Sequence, residues 1–342
     1  MNSAPKLRFG VWFDFRNPPQ WRRSYEDIYA ETIEQIVWAE GLGYEGAWLS
    51  EHHFAPDGYS PSPVVIAAAL AVKTKRMRIG TNVLLLPLYH PVRLAEDCAT
   101  VDILSRGRFE LGVGLGYRPN EFEGYGIPYH ERAGRTNEAL QIIRRLWEGE
   151  TVTFHGKYYH IDGARIEPPP VQRPRPPIWV GGLVKAAARR VARYGDGVIG
   201  AGIRGIYEAA RIEMAEMGAQ GRDPDKLRVA EGMLWLVVSN DPDRTWHELG
   251  ANLLHVFQDY APGLEKAGMG KLMPYPKDAA ELRSMRYVNI VTPEEAVAMI
   301  KHHIAGMPAE HFCFMTVPPG LPPKVMYPYL ELFANKVMPH FR

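Results

Sequence analysis

Two cysteines in 342 residues, Cys98 and Cys313, are too few and too far apart for a disulfide framework or a CxxC metal or redox motif. They suit a reducing compartment. An excess of one charge is missing too: 40 Lys and Arg stand against 39 Asp and Glu, a formal net charge of +1. That balance gives no electrostatic case for nucleic acid or a membrane surface as partner. No apolar run approaches the length needed to cross a bilayer, and residues 1–8 lack the apolar core of a secretion signal. The 12 histidines include no HxH or HExxH spacing, which disfavours a metal-dependent hydrolase. The expectation is a soluble, cytoplasmic protein without a metal centre.

What the chain does contain is an alternation of strand and helix signals. Hydrophobic residues make up 46% and charged residues 23%, a globular composition with ample core material. Residues 7–15 read as a β-rich first strand. Ser24 and Asp27 then mark a helix start, and the apolar stripe of that helix includes Ile28, Ile33, Ile36 and Val37. Gly41 and Gly43 stop it, and a second strand carries Trp48. Pro63 opens a small-residue helix, 76–86 reads as a third strand, and Pro91 opens the next helix. Residues 108–114 give a fourth strand, then a glycine- and aromatic-rich loop to Tyr129 and a helix over 131–147. Residues 151–166 read as a hairpin around Asp162-Gly163, followed by a proline-rich connector. Further strands are read at 178–180, 197–200, 227–239 and 311–317. The helix after the seventh strand covers about 246–257, and 258–290 reads as a long irregular lid.

Eight strands alternating with helices indicate an α/β fold, one (β/α)8 TIM barrel over 1–342. Insertions after strand 4 (about 151–176) and after strand 7 (about 258–290) explain a length above the roughly 250 residues typical of that fold. An open doubly wound sheet competes, but the pattern reaches eight units without a second composition block.

The stretch Ala47-Trp48-Leu49-Ser50-Glu51-His52-His53-Phe54 breaks from an apolar run into an acid and two histidines. A buried parallel strand ends this way, and barrel enzymes build their chemistry at that end. Adjacent residues on a strand face opposite ways, so His52 and His53 are not expected to share one ion. Gly112-Val113-Gly114-Leu115-Gly116 invites a dinucleotide reading, but Tyr117-Arg118-Pro119-Asn120 is expected to break the helix such a site requires. The glycines instead suggest room for a planar ligand at the mouth of strand four, or a glycine kink in a barrel strand. Gly181-Gly182-Leu183-Val184 ends strand five and opens a helix, whose free amides suit a phosphate. Aromatic residues near strand ends (Trp12, Phe54, Tyr59, Tyr89, Tyr117) suggest a mostly apolar organic ligand.

Four ordered blocks carry a resemblance to the bacterial luciferase-like, flavin-dependent monooxygenases. They are Trp48 to Phe54; Leu86-Pro87-Leu88-Tyr89-His90-Pro91-Val92-Arg93; Gly107-Arg108-Phe109 through Gly116, with Glu121-Phe122 and Gly126; and Pro177-Ile178-Trp179-Val180-Gly181-Gly182. The resemblance implies a (β/α)8 barrel with FMN at its C-terminal mouth, reduced by a separate flavin reductase and reacting with O2 through a C4a-peroxyflavin to oxidise a small organic substrate. It also implies a homodimer. His52 matches the family's active-site acid/base, with Glu51 and His53 beside it. Asn82-Val83 matches a cis non-proline peptide under the isoalloxazine.

The resemblance implies cofactor contacts from Asn82, Val83, Gly114, Gly116, Tyr117, Arg118, Gly181, Gly182, Leu183 and Val184. At Leu115 and Val184 light-emitting relatives carry polar phosphate ligands, so the phosphate is expected on the amides of 182–184, with Arg118 as a nearby cation. At Gly114 they carry a reactive cysteine, and bioluminescence is not expected here. Two alternatives stand beside the FMN enzyme, with FAD a further cofactor choice. One is a deazaflavin-dependent dehydrogenase of the same superfamily; the other is a non-catalytic flavin-binding protein.

Overall fold

Strands form where apolar residues run almost without interruption, as expected when both faces are covered. The computed structural model describes residues 6–182, 184–218 and 222–342. Its strands are β1 (Arg8–Phe13), β2 (Gly46–Leu49), β3 (Arg78–Thr81), β4 (Leu84–Leu85), β5 (Phe109–Gly114), β6 (Val152–His155), β7 (His160–Ala164), β8 (Ile178–Gly181), β9 (Gly197–Ala201), β10 (Arg228–Val238), β11 (Asn289–Val291) and β12 (Ala309–Met315). Strands β1, β2, β3, β5, β8, β9, β10 and β12 pair in parallel in that order, and β12 returns to β1. The sheet closes into the expected eight-stranded barrel.

The helices are α1 (Tyr25–Leu42), α2 (Pro63–Lys73), α3 (Pro91–Ser105), α4 (Pro119–Gly124), α5 (Arg132–Trp147), α6 (Lys185–Tyr194), α7 (Arg204–Glu216), α8 (Pro242–Lys266), α9 (Ala279–Met285), α10 (Pro293–Ile304) and α11 (Tyr327–Lys336). Their ends follow local chemistry. Ser24 accepts from the Asp27 amide at the start of α1, and Gly43 closes that helix with φ 93°, a conformation glycine adopts without a Cβ penalty. Thr292 and Glu295 form a reciprocal capping box on α10.

Trp48, Trp179 and His311 meet edge to face inside the barrel, with ring centroids 5.1–6.4 Å apart. The Trp48 indole lies across Gly10, Gly46 and Gly80, where side chains would collide with it. Glu110 anchors this layer: it accepts from Trp179 Nε1 at 2.6 Å and pairs with Arg78, while Arg228 stacks on Trp179 at 4.6 Å. Despite desolvation, the charges of His311, Arg78 and Arg228 hold the Glu110 carboxyl far below its ordinary range. This layer is sealed by paired charge and leaves the other end of the barrel for chemistry.

Four local expectations are corrected. The third strand breaks after Thr81 at the cis peptide Asn82-Val83 and resumes only as the two-residue β4. The hairpin turns at residues 156–159, because Glu138 binds the amides of Lys157, Tyr158 and Tyr159; Asp162-Gly163 lies within β7. Pro119 opens the short α4 and does not break a helix, since its missing N–H costs nothing at the first position. Finally, α8 does not end near 257 but runs to Lys266 with Pro262 inside it, and α9 follows. The region read as an irregular lid is therefore partly helical. Among the described residues, no helix is long and apolar enough to cross a membrane.

Candidate active site

The ends of β1, β2 and β5 converge at the C-terminal mouth, and α8 crosses above them. β2 stops at Leu49, and the loop that follows turns His52 and His53 in different directions, both 5% exposed. His52 Nδ1 lies 2.7 Å from Glu121 Oε1, and the same oxygen accepts the His53 amide at 2.9 Å. A carboxylate oxygen only accepts, so Nδ1 carries hydrogen and Nε2 is the basic nitrogen. Burial pushes the His52 pKa below its ordinary value, and the Glu121 hydrogen bond only partly offsets this. Burial thus favours the neutral imidazole.

His53 is occupied at both nitrogens. Nε2 meets Glu51 Oε1 at 2.7 Å, and Nδ1 meets the Tyr125 hydroxyl at 3.1 Å. Glu51 also accepts from the Leu85 amide at 2.7 Å and the Tyr89 hydroxyl at 2.8 Å. Glu51 and His53 therefore tie the β2 loop to the chain beyond β3. Of the three residues assigned to catalysis from the sequence, this arrangement gives His52 the exchangeable nitrogen and the other two a holding role.

Three tyrosine rings stand edge-on to His52: Tyr59 at 4.7 Å, Tyr117 at 5.4 Å and Tyr260 at 5.7 Å. Tyr59 and Tyr260 join through their hydroxyls at 2.8 Å. Behind them lies a buried charge cluster. Arg16 contacts Asp14 (3.1 Å), Asp57 (2.9 Å) and Asp259 (3.1 Å); His255 adds a 3.0 Å contact to Asp57. Desolvation raises the Asp14 pKa to about 6, whereas His255 and Arg16 overcome desolvation at Asp57 and lower it to about 2.

The expected cofactor residues fall into two groups. Val83, beyond the cis peptide, sits between two glycines: a Cβ on Gly114 would lie 2.5 Å from Val83 Cγ2, and one on Gly181 would lie 2.9 Å from Cγ1. Phe122 takes the space beside Gly116, and the Thr81 carbonyl takes that beside Gly112. The room expected for a planar ligand on these glycines is thus filled by protein, and only their backbone faces stay available. Asn82 points its amide at Cys313 Sγ, 3.6 Å away. The second group is Gly182 and Val184 before α6, whose N-terminus has no side-chain cap and no acid in its first turn, with Lys185 as its first residue. Leu183 lies outside the described residues. Arg118 belongs to neither group: it pairs with Asp259 at 2.7 Å and packs near Tyr260 and Gly263 of α8.

Sequence reading missed Arg16, Asp57, Glu121, His255, Asp259 and Tyr260 as site residues. The signal for the last three is the i, i+4 spacing of His255 and Asp259, which share a face because α8 continues beyond 257. Phe54 was expected to face a pocket; it is 61% exposed, its ring resting beside Gly124. Among the described residues, no group of three or more His, Cys, Asp or Glu could hold a metal.

A family model described as luciferase-like monooxygenase matches residues 7–311. The F420-dependent glucose-6-phosphate dehydrogenase of Mycobacterium avium is 30% identical over 335 residues, covering 91% of this chain and 94% of its own. The oxygenase component of the flavin-dependent trigonelline monooxygenase of Acinetobacter baylyi is 33% identical, covering 46% of this chain and 44% of its own. Two uncharacterised Sinorhizobium fredii proteins, 33% and 35% identical, are matched over 59% and 61% of their lengths. In fold, monooxygenase RslO1 of Streptomyces bottropensis superposes with a TM-score of 0.80 at 24% identity, covering 98% of this chain and 100% of that one.

Proposed function

The chain belongs to the luciferase-like monooxygenase family, and on that footing we propose that it oxidises a small organic substrate with O2 and reduced FMN supplied by a separate reductase. The observation that carries the reading is His52: buried, fixed by Glu121 and walled by three aromatic rings. A neutral imidazole held in one tautomer suits proton transfer near neutral pH. The tyrosine wall and α8 keep bulk water from it, which limits wasteful side reactions.

The residues fit a flavin phosphate at the start of α6. Free amide groups, the Gly182 backbone and Lys185 present positive charge there, which compensates for apolar Leu115 and Val184. The backbone around Asn82, Val83, Gly114, Gly116, Tyr117 and Gly181 forms the floor on which the ring system would rest. When bound, reduced flavin supplies two electrons for O2 activation. The chain's own part is to orient the substrate, exclude water and move a proton at His52 Nε2. A homodimer in solution is part of the same proposal.

The full-length match to an F420-dependent dehydrogenase favours a second reading, hydride transfer with a deazaflavin. One experiment separates them. The purified protein is mixed anaerobically with reduced FMN and then exposed to O2 while absorption is followed. A slow, protein-dependent return to oxidised flavin supports the first reading. Immediate return with peroxide release, together with substrate oxidation by deazaflavin without O2, replaces it with the second. In the functioning system, His52→Ala lowers product formation at least about tenfold, the low side for an acid–base group; an unchanged rate removes that role.

A further inference from the structure

We propose that Arg16 and Arg118 form the binding site for an anionic group on the substrate, an organic carboxylate, and that Asp259 occupies this site here as an internal stand-in. The proposal rests on the His52 reading above but is tested without turnover.

One oxygen, Asp259 Oδ2, lies 3.1 Å from Arg16 Nη1 and 2.7 Å from Arg118 Nη2. The guanidinium groups come from separate loops, after β1 and after β5, and meet at this oxygen. Their side chains are 0% and 9% exposed, while that of Asp259 is 19% exposed. The carboxylate is thus on the solvent side. Arg16 Nη2 is buried and has no hydrogen-bond partner, so the pair keeps donor capacity that Asp259 does not use. Two guanidinium groups on one carboxylate oxygen form a recognition geometry for planar oxyanions.

The site is near the basic nitrogen's ring. Arg16 and Arg118 both lie against Tyr260, at 4.7 and 5.4 Å, and the Tyr260 ring is 5.7 Å from the His52 ring. A carboxylate held there would direct the rest of a substrate toward His52. Asp259 is also the member best able to leave. Pro262 has no N–H to give to the Gln258 carbonyl, so the turn of α8 carrying Asp259 and Tyr260 is held less firmly. Gly263 presents no Cβ to Tyr117 and Arg118, which it packs against. Arg16 keeps Asp14 and Asp57 when Asp259 withdraws, but Arg118 then loses its carboxylate partner in a largely buried place, which is costly. An incoming carboxylate removes that cost, so opening of α8 is coupled to the charge of the substrate.

The test uses flavin-free protein and hexanoate as probe, with hexanol and hexylamine as controls, followed by calorimetry. Hexanoate is expected to bind while the controls do not. Asp259→Asn should tighten hexanoate at least about tenfold by removing the internal competitor, and Arg118→Gln should weaken it by a similar factor. Equal hexanoate affinity in wild type and Asp259→Asn overturns the proposal and leaves Asp259 a plain latch. The flavin phosphate is the other source of an anion here. If Arg118→Gln abolishes the preference for FMN over riboflavin and leaves hexanoate binding unchanged, the site belongs to the cofactor and the proposal fails. Should Arg118→Gln not fold, the Asp259→Asn comparison decides alone. Because no O2 or turnover enters, failure of the monooxygenase reading does not alter these outcomes.

Discussion

Glu121 fixes His52: its Oε1 lies 2.7 Å from the imidazole Nδ1, although the two residues are 69 positions apart. The same oxygen takes the His53 amide, so one carboxylate sets both the ring and the loop that carries it. Glu121 comes from α4, which Pro119 starts immediately beyond the β5 loop. The orientation of the imidazole at the end of β2 therefore depends on the loop after β5.

Glu121→Gln should lower the His52 pKa further. The carboxylate now opposes the effect of burial, and the amide carries no charge to do so. If the neutral imidazole is the working form, product formation rises with pH through a midpoint below 6.5, and this variant moves that midpoint lower. Following the His52 ring proton by NMR across pH 4–8 checks it. An unmoved midpoint would show that Glu121 does not set the titration.

Asp14 gives a stability prediction of definite sign. Its pKa rises from 3.8 to about 6 on folding, so its contribution is fully present below the unfolded value and is lost as pH rises from about 4 to about 6. Asp57 works the opposite way: with a pKa near 2, its contribution is lost as pH falls from about 4 toward 2. Asp14→Asn should therefore stabilise the protein at pH 7, by on the order of 2 kcal/mol, and much less at pH 4. Thermal unfolding at both pH values reads this. A lower Tm at pH 7 would mean that the Arg16 pairing outweighs desolvation.

Gly114→Ala should destabilise the barrel by roughly 1–3 kcal/mol, because the new methyl meets Val83 at 2.5 Å. Adding Val83→Ala should recover a large part of that loss, giving a non-additive pair. Denaturant unfolding of the two singles and the double provides the cycle. Strict additivity would mean that the steric conflict lies elsewhere.

At the closed end of the barrel, Glu110→Ala leaves Trp179 Nε1 and Arg78 without their buried acceptor. The expected cost is about 3–5 kcal/mol, typical of breaking a buried charge pair from one side. Flavin binding in protein that still folds should be unchanged, since this layer lies away from the mouth. A selective loss of flavin affinity with stability intact would contradict that division of labour.

The sequence by itself determined the barrel and marked His52 as a candidate at its mouth. Hydrophobic runs, helix starts at Ser24, Pro63, Pro91 and Thr292, and glycine stops are local signals, and eight repeats of them admit few arrangements. The block from Trp48 to Phe54 likewise shows its change from apolar core to an acid and two histidines within seven residues. What the tertiary structure decided was partnership. Which histidine keeps a free nitrogen depends on Glu121, Glu51 and Tyr125, and nothing local to positions 52 and 53 distinguishes them. The Arg16–Asp259–Arg118 arrangement joins three distant segments through charges whose pairing is fixed only when the barrel closes and α8 crosses its mouth. Periodicity reports which face of an element is buried, but a buried charge is defined by what stands opposite it.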